Sequence, residues 1–275
     1  MLRLGFVTDI HFGPQAFHDG KLRKMTHQAE PLLRQALSSM LEAGRPDLLV
    51  NLGDDVEDES RGLDLERYAL CQEILREPGV TVVNVAGNHD MIHMGRDDLN
   101  RFWGRTGPLY YAFDHKGFHV VVLQTFERAE VDCSIPAPQL EWLESDLSRT
   151  RLPSVVLMHH SAADQDLSTS RWFDTRPELA LVQERAELRR ILERSGKVRA
   201  VFNGHVHRND MTMHGGIPYV TIQSLTENLD DDAPGRPSGA WAIAELDARK
   251  VDVRVHGADP ARWTVEPRAR PRPSP

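Results

Sequence analysis

The sequence predicts a layered α/β fold, and two observations support this prediction. Short apolar runs rich in Val, Ile and Leu alternate with segments of helical periodicity. Other apolar runs are separated only by short turn segments, which is typical of hairpins. Repeated strand–helix–strand units give parallel strands with right-handed crossovers, and the hairpins add antiparallel strands. Because both faces of such sheets must be covered, we expect helices to pack on them in layers.

The elements follow from these patterns in chain order. Five apolar runs are predicted as buried strands, at residues 2–8, 48–52, 80–85, 154–158 and 198–202. Helical spacing or proline placement predicts helices at residues 25–43, 63–75, 138–147 and 177–193. A hairpin is expected at residues 110–123 around Asp114-His115-Lys116-Gly117, and a β-meander at residues 217–256.

Composition excludes several classes of protein. The chain has 275 residues and a formal net charge of −8, and no basic stripe indicates an extended nucleic-acid surface. No apolar run approaches the roughly 20 residues that a membrane helix needs. The first residues lack a signal-peptide pattern. Only Cys71 and Cys133 occur, which excludes a disulfide scaffold and a cysteine zinc site and favours free thiols in the cytoplasm.

The chain is expected to form one catalytic domain over residues 1–258. Residues 259–275 are predicted as a flexible tail, because the end is rich in Pro and Arg and has too little apolar surface to fold. Binding of an anionic partner by this tail is the alternative.

Polar side chains follow each of the five buried strands. The segments are Asp9-Ile10-His11, Gly53-Asp54-Asp55, Gly87-Asn88-His89-Asp90, His159-His160 and Asn203-Gly204-His205-Val206-His207. In open α/β sheets, the carboxyl ends of parallel strands meet where ligands bind. We therefore expect these five loops to form one site.

The residue types in these loops indicate metal chemistry. Carboxylates and imidazoles suit Mn, Fe, Zn or Co, and one carboxylate can bridge two ions. The glycines at 53, 87 and 204 are expected to let the chain turn sharply as it leaves each strand. Each short motif alone is more typical of a satisfied polar pair, but all five at strand ends favour a dinuclear metal site.

The five segments together resemble the signature of the calcineurin-like metallophosphoesterase superfamily. That signature runs Asp-x-His, Gly-Asp, Gly-Asn-His-(Asp or Glu), a strand-end His and Gly-His-x-His, and here it spans residues 9–207 in order. The resemblance implies a four-layer α/β/β/α sandwich with two mixed central sheets. It also implies two divalent metal ions of Mn, Fe or Zn type and hydrolysis of a phosphoester by hydroxide formed on them.

The resemblance also implies which residues hold the ions. One ion would be bound by Asp9, His11, Asp54 and His207, and the other by Asp54, Asn88, His159 and His205. His159 is preferred to His160 because the family's ligand is usually the first residue after the strand. His89 is implied as a catalytic residue that contacts the phosphate or leaving group, and it could protonate the leaving oxygen.

The resemblance narrows the activity without fixing the substrate. The segment Gly53 to Glu59 differs from the protein phosphatase pattern, and so does the third motif block, which ends in Asp90. Both differences favour bacterial enzymes similar to class III cyclic nucleotide phosphodiesterases. Those enzymes often have a proline soon after the strand-end histidines, and here Ser161-Ala162-Ala163 stands in its place. We expect a phosphodiesterase for small nucleotide-like or glycerol-type diesters. The alternatives are a phosphomonoesterase or nucleotide pyrophosphatase, and a non-catalytic module, which would have eroded ligands.

Two segments are expected to flank the metal site. The long loop at residues 161–176 follows the strand-end histidines, and its candidate substrate contacts, together with the preceding imidazole, are His160, Arg171, Trp172 and Phe173. The aromatic pair could stack on a nucleobase or simply pin the loop to the protein body. The acidic turn after Asp54 is expected to be solvated, with Glu57 or Asp58 holding the His89 imidazole as the alternative.

Overall fold

The computed structural model describes residues 1–128, 131–247 and 249–267. Its strands are β1 Leu2–Val7, β2 Ala16–His18, β3 Lys21–Lys24, β4 Leu48–Asn51, β5 Val82–Asn84, β6 Tyr111–His115, β7 Phe118–Val122, β8 Phe126–Arg128, β9 Asp132–Ser134, β10 Ser154–Leu157, β11 Val198–Asn203, β12 Asp210–His214, β13 Ile217–Thr221, β14 Trp241–Leu246, β15 Val251–His256 and β16 Ala261–Val265. Its α-helices are α1 Ala29–Ala43, α2 Arg61–Arg76, α3 Asp90–His93, α4 Arg96–Trp103, α5 Ala137–Arg149 and α6 Arg185–Ser195. Short 3₁₀ helices cover Thr26–Gln28 and Pro177–Leu179.

The strands form two six-stranded mixed sheets and two small hairpins. The first sheet has the order β16-β15-β14-β1-β4-β5, in which β1, β4 and β5 are parallel. The second has the order β12-β13-β11-β10-β7-β6, in which β13, β11, β10 and β7 are parallel. β2 pairs with β3, and β8 pairs with β9. The parallel strands of each sheet therefore end at one edge, as the strand–helix alternation predicted.

The two sheets pack face to face, with helices outside them. The apolar core between the sheets includes Phe6 and Phe202, whose ring centroids are 4.6 Å apart. Helices α1 and α2 cover the first sheet through residues such as Leu33, and helices α5 and α6 cover the second through residues such as Leu188. Burying such a side chain contributes about 1.5–3 kcal/mol. The predicted four-layer α/β/β/α sandwich is confirmed.

The expectation of free thiols at both cysteines is confirmed. Cys71 and Cys133 are free and buried. Within residues 1–128, 131–247 and 249–267, no helix combines the length and apolar character that crossing a membrane requires.

The helix predicted at residues 177–193 is wrong in its first half. Pro177–Leu179 is a single 3₁₀ turn, and the α-helix α6 starts only at Arg185. Between them the chain is extended, because Leu181 bridges to Ser161 and Val182 bridges to Cys133. These tertiary contacts override the helical spacing of the local sequence.

The meander predicted at residues 217–256 is also wrong, since its strands belong to different sheets. Strand β13 lies in the second sheet between β12 and β11, whereas β14 and β15 pair in the first. The first sheet continues past the expected domain boundary at residue 258, because β16 pairs with β15 over five residues. The expected tail at 259–275 is thus a strand at Ala261–Val265, and residues 268–275 lie outside the described residues.

Two helices, two small hairpins and strand β12 were also not predicted. Helix α4 carries signals that could have located it, since the Asp98 carboxylate accepts a hydrogen bond from the Gly95 amide and Gly104 ends the helix at φ +66°. The hairpins β2–β3 and β8–β9 have strands of only three or four residues, too short for a pattern of alternation. Both hairpins contribute residues that lie near the carboxyl ends of the parallel strands.

Candidate metal centre and its cavity

The loops after β1, β4, β5, β10 and β11 meet at one edge of the two sheets. They bring together Asp9, His11 and His207, whose candidate ligand atoms lie within 4.8 Å of one another. The His207 Nε2 atom lies 3.2 Å from His11 Nε2 and 3.3 Å from Asp9 Oδ1. We call these three residues the Asp9 half of the site.

A second group of three lies beside the first. Asp54, His159 and His205 also place their candidate ligand atoms within 4.8 Å. The His159 Nε2 atom is 3.2 Å from Asp54 Oδ2 and 3.0 Å from Asn88 Oδ1. We call Asn88, His159 and His205 the His159 half. Asp54 lies between the halves, because the same Oδ2 atom is 3.8 Å from His11 Nε2.

The imidazoles of the Asp9 half present lone pairs to a common point. His11 Nδ1 lies 2.9 Å from Glu57 Oε2, and His207 Nδ1 lies 2.8 Å from Glu227 Oε2. Each carboxylate favours a proton on the Nδ1 that faces it, so in the neutral rings Nε2 is the acceptor. Two acceptors 3.2 Å apart beside the Asp9 carboxylate fit a bound cation.

The His159 half has the same logic with different partners. His159 Nδ1 donates to the Leu52 carbonyl oxygen at 2.8 Å, and His205 Nε2 donates to the Leu179 carbonyl oxygen at 2.9 Å. In the neutral form of each ring, the other nitrogen is therefore an acceptor. His159 Nε2 faces the oxygens of Asp54 and Asn88, so three acceptors converge on one point. This donor set suits a borderline divalent ion.

Electrostatics of the ionisable groups favour positive charge at both halves. Burial alone would lower the pKa of His159, but the charge of Asp54 and the hydrogen bond to it raise that pKa to about 10. Burial likewise opposes protonation of His207, and the charge of Asp9 raises its pKa to about 9. The carboxyls respond in the opposite sense, since neighbouring histidines hold the pKa of Asp54 well below its usual range despite burial.

The backbone at this edge is held in an unusual conformation. Five of the candidate ligands have left-handed φ values between +49° and +65°, namely Asp9, His11, Asp54, His205 and His207. Asp and His tolerate this region better than most residues, although each such position costs about 1–3 kcal/mol. Strain of this kind persists where the surrounding structure fixes a functional geometry.

The three glycines of the motifs are required for different structural reasons. Gly53 adopts φ +99°, so it provides the sharp turn that was expected. Gly204 has no such φ; a Cβ atom there would lie 2.0 Å from Thr8 Oγ1 and 2.5 Å from Asp9 Oδ2. Its role is close approach to the Asp9 loop, and the same applies to Gly87 beside Asp54. The expectation of a sharp turn is therefore wrong at 87 and 204.

Asp90 joins the loop after β4 to the loop after β5. Its carboxylate accepts hydrogen bonds from the amides of Asp54, Asp55 and Gly87 at 2.8–3.0 Å. Burial and the neighbouring charges of Asp55 and Asp54 raise the pKa of Asp90 well above its usual value. The third motif contains this residue, but its role could not be predicted from the motif. It holds the backbone of Asp54 in place.

His89 lies outside both halves and is held by the acidic turn. Its Nδ1 is in hydrogen-bond contact with the Asp58 carboxylate, and its ring meets the His11 ring edge to face at 4.8 Å. Burial opposes protonation, but the charge of Asp54 and the bond to Asp58 raise the pKa of His89. The expectation of a solvated turn is therefore wrong. Asp58 holds His89, whereas Glu57 lies against His11.

A cavity of about 240 Å³ opens onto the site. It reaches the inner residues Asp54, His89, His205 and His207, and its outer wall consists of Phe17, His18, Lys24, Trp172 and Phe173. The unpredicted β2–β3 hairpin supplies part of that wall. Because the wall is largely aromatic and the floor is the candidate metal centre, the cavity fits a small ligand with one anionic and one flat group.

The four expected substrate contacts divide into two kinds. Trp172 and Phe173 line the cavity, with Phe173 4.9 Å from the His205 ring. The Arg171 guanidinium instead donates to the main-chain carbonyls of residues 228–230. His160 is fully buried, and its Nδ1 lies 2.7 Å from Thr125 Oγ1. The geometry thus favours the aromatic pair over the other two.

Sequence reasoning missed several charged residues near the site, among them Lys24 and Glu227. Lys24 is buried, and its ammonium lies 2.6 Å from Glu57 Oε2. Glu227 holds His207 and also accepts a hydrogen bond from Trp172 Nε1 at 3.2 Å. Neither belongs to a motif block or follows a predicted strand. No local signal could have found them, because their partners are distant in the sequence.

The sequence of the chain is similar to those of known phosphoesterases. The family model described as calcineurin-like phosphoesterase matches residues 2–209. A protein from Synechococcus sp. named probable cyclic nucleotide phosphodiesterase is 25% identical over 90% of this chain and 88% of its own. A cAMP/cGMP dual specificity phosphodiesterase from Mycobacterium tuberculosis is 28% identical over 72% of this chain and 60% of that protein.

Two solved structures share the fold at low sequence identity. A dimetal phosphatase from Danio rerio superimposes with a TM-score of 0.75 at 15% identity, covering 97% of this chain and 99% of that one. A purple acid phosphatase from yellow lupin gives a TM-score of 0.66 at 13% identity over 96% of this chain and 53% of that one. These likenesses concern the architecture of the two sheets and their helices.

Proposed function

Because the chain belongs to the calcineurin-like phosphoesterase family and is a hydrolase of ester bonds, we propose that it is a dinuclear phosphodiesterase for small nucleotide-like or glycerol-type diesters. Cyclic nucleotides are the first substrates to test, since the relatives from Synechococcus and Mycobacterium tuberculosis carry that activity in their names. The partner is a small molecule, and the ligands of the two ions are the Asp9 half, the His159 half and Asp54.

The observation that carries this proposal is the pair of acceptor clusters joined at Asp54. Each imidazole has one nitrogen donating to, or facing, an oxygen and the other directed to a shared point. When bound, two divalent ions of Mn, Fe or Zn type would neutralise phosphate charge and lower the pKa of a bound water. The carboxylates of Asp9 and Asp54 hold such ions in place and leave net positive charge for an anionic substrate.

His89 is the proposed proton donor to the leaving oxygen. Asp58 contacts its Nδ1, so Nε2 is the nitrogen available to a ligand in the cavity that His89 lines. The His89 main-chain amide also donates to Asp54 Oδ1 at 3.0 Å. This bond fixes the donor at a set distance from the bridging carboxylate.

The cavity wall supports a substrate with a flat group. Trp172 lines the cavity while its indole nitrogen is held by Glu227, so the ring is positioned before substrate arrives. A preorganised aromatic ring can stack on a nucleobase, worth about 1–3 kcal/mol per base. In this proposal the phosphate lies at the metal centre and the base lies at the aromatic wall.

A substrate panel tests the proposal. Wild type, Trp172→Ala and the matched control Trp263→Ala, a half-buried tryptophan of β16, are assayed on cyclic nucleotides, nucleotide diphosphates, glycerophosphodiesters, a bis-aryl phosphate and phosphomonoesters. We expect cyclic nucleotide hydrolysis to fall about 10-fold or more in Trp172→Ala while the bis-aryl diester is spared, because only the base loses its stacking partner.

Other outcomes of the substrate panel would contradict specific parts of the proposed function. Equal loss on every substrate in Trp172→Ala would assign the tryptophan to packing alone. Faster hydrolysis of monoesters or of nucleotide diphosphates than of any diester would replace the phosphodiesterase by the phosphomonoesterase or pyrophosphatase alternative. Two bound ions with no hydrolysis of any phosphoester would indicate a non-catalytic module.

A further inference from the structure

The orientation of the Asn88 side chain matters for the His159 half. Its Oδ1 atom lies 3.0 Å from His159 Nε2, on the side where the Asp54 carboxylate also points. The two ends of a carboxamide differ chemically, since the oxygen can bind a cation and the NH₂ group cannot. A rotation of 180° about the last bond would turn the NH₂ group towards the site. Something must therefore select one orientation.

Glu127 makes that selection possible. Asn88 Nδ2 donates a hydrogen bond to Glu127 Oε2 at 2.7 Å. An ionised carboxylate accepts hydrogen bonds and donates none, so it receives only the NH₂ end of the amide. We propose that Glu127 is a positioning residue that fixes the Asn88 carboxamide with its oxygen towards the metal centre. It thereby sets the affinity of the His159 half for its ion, and the inference rests on the two-ion site of the proposed function.

The place of Glu127 in the fold supports this role. It lies on β8, paired across the hairpin with Cys133 of β9. The Cys133 carbonyl accepts the Gln183 amide at 2.8 Å, which ties the hairpin to the segment before α6. The Cys133 thiol and His205 Nε2 both donate to the Leu179 carbonyl, at 2.7 and 2.9 Å. The hairpin that carries Glu127 is thus fixed to the same segment that orients His205.

The sequence motifs give no sign of this residue. Glu127 lies 39 positions from Asn88, between the third and fourth motif blocks, on a strand of three residues. Groups that hold a metal ligand in position commonly change metal affinity by about 10- to 100-fold when removed. Glu127 meets the geometric requirement for such a group at one ligand of one half, so its effect should be local.

The test measures metal binding without substrate. The full chain is stripped with a chelator, and Mn²⁺ is titrated while free Mn²⁺ is followed by electron paramagnetic resonance. In Glu127→Ala, we expect one of the two Mn²⁺ ions to bind about 10- to 100-fold more weakly and the other to bind within about twofold of wild type. Glu127→Gln keeps an acceptor oxygen and should remain within a few-fold of wild type. Arg128→Ala, on the same strand, is the control.

A double variant separates orientation from general damage to the hairpin. Asn88→Asp places two equivalent oxygens at this position, and a carboxylate needs no partner to orient it. Adding Glu127→Ala to Asn88→Asp should therefore cause no further loss of Mn²⁺ affinity, in contrast to the loss in the Asn88 background. This non-additivity is the signature of a positioning role.

Four results would overturn the proposal. One is wild-type binding of both ions in Glu127→Ala. Another is an equal weakening of both ions, which would indicate a structural role for the hairpin. A third is the same loss in Glu127→Gln as in Glu127→Ala, which would assign the effect to charge. The fourth is an additive loss in the double variant. Wild type that binds fewer than two Mn²⁺ ions would instead refute the proposed function, and the inference with it.

Discussion

The two halves of the candidate metal centre hold their histidines in different ways. In the Asp9 half, the outer nitrogens of His11 and His207 face the carboxylates of Glu57 and Glu227. In the His159 half, the outer nitrogens donate to main-chain carbonyls. A carboxylate partner makes an imidazole more basic and a stronger metal ligand. The difference predicts that the Asp9 half binds its ion more tightly than the His159 half.

The largest effect is expected where the halves meet. Asp54→Asn should lose both ions, because the variant removes a full negative charge that lies between two clusters of acceptors. A metal ion supplies several kcal/mol of transition-state stabilisation, so kcat/KM for a diester should fall by about a thousandfold or more. Metal analysis and steady-state kinetics measure the two losses.

The control for this variant is Asp47→Asn, a carboxylate that pairs with Lys116 on the surface. It should keep two ions and wild-type activity. Retention of both ions by Asp54→Asn would show that the halves are independent, which would remove the bridging role.

Next comes a residue that belongs to neither half. His89→Ala should lower kcat by about 10²- to 10⁴-fold, as expected for loss of a general acid. Metal content should stay at two ions, because the His89 side chain belongs to neither half and the variant keeps the main-chain amide that donates to Asp54. Asp58→Asn should have the same pattern with a smaller loss. Glu59→Gln, a neighbouring acid that pairs with Arg67, is the control and should be unaffected. An emptied site in His89→Ala would mean that His89 is a ligand.

The predicted difference in metal affinity between the two halves is tested by replacing one of the carboxylates that contact the histidines of the Asp9 half. Glu227→Gln should weaken binding at the Asp9 half by about 10- to 100-fold and leave the His159 half within about twofold. Calorimetric titration of the stripped protein with Mn²⁺ resolves the two steps. If only the weaker of the two binding steps loses affinity, the Asp9 half is the weaker site, and the predicted order of the two affinities is wrong.

The site could be predicted in part because its ligands follow buried strands. Parallel strands align their carboxyl ends, so Asp9, Asp54 and His159 could be expected to meet although they are far apart in the chain. The groups that hold those ligands could not be predicted. Glu227 and Lys24 reach the site from loops and a short hairpin, and only tertiary packing brings them there.

The same distinction explains the errors in the fold. Residues 177–184 have helical spacing, but Pro177–Leu179 forms only a 3₁₀ turn, and bridges to Ser161 and Cys133 hold Leu181 and Val182 extended. The strands at residues 217–256 alternate as a meander would, yet local pattern carries no information about which sheet a strand joins. Both errors arise where contacts distant in sequence decide the structure.

The smallest expected effect is on the stability of the fold, at a carboxylate outside the candidate metal centre. Asp252 of β15 is buried, and hydrogen bonds from Arg262, Arg254 and Thr264 outweigh burial and lower its pKa to about 2. A folded-state pKa below the unfolded value contributes stability above about pH 4 that is lost as the pH falls towards 2. Asp252→Asn should therefore lower the free energy of unfolding by about 1–2 kcal/mol at pH 7.

Thermal or urea unfolding at several pH values checks this prediction. Wild type and Asp252→Asn should converge in stability as the pH falls from 4 to 2. Metal content and activity at pH 7 should equal those of wild type, because Asp252 makes its hydrogen bonds with Arg254, Arg262 and Thr264 of β15 and β16. A constant difference in stability from pH 7 to pH 2 would contradict the role given to the Asp252 charge.

The most direct test of the central claim is a stepwise metal titration of the stripped wild-type protein. Mn²⁺ is added in increments while bound metal and hydrolysis of a diester are measured on the same samples. If both halves act together through Asp54, one ion per chain gives little hydrolysis and activity rises as the second ion binds. Full activity at one ion per chain, with no further rise at two, would contradict the dinuclear account.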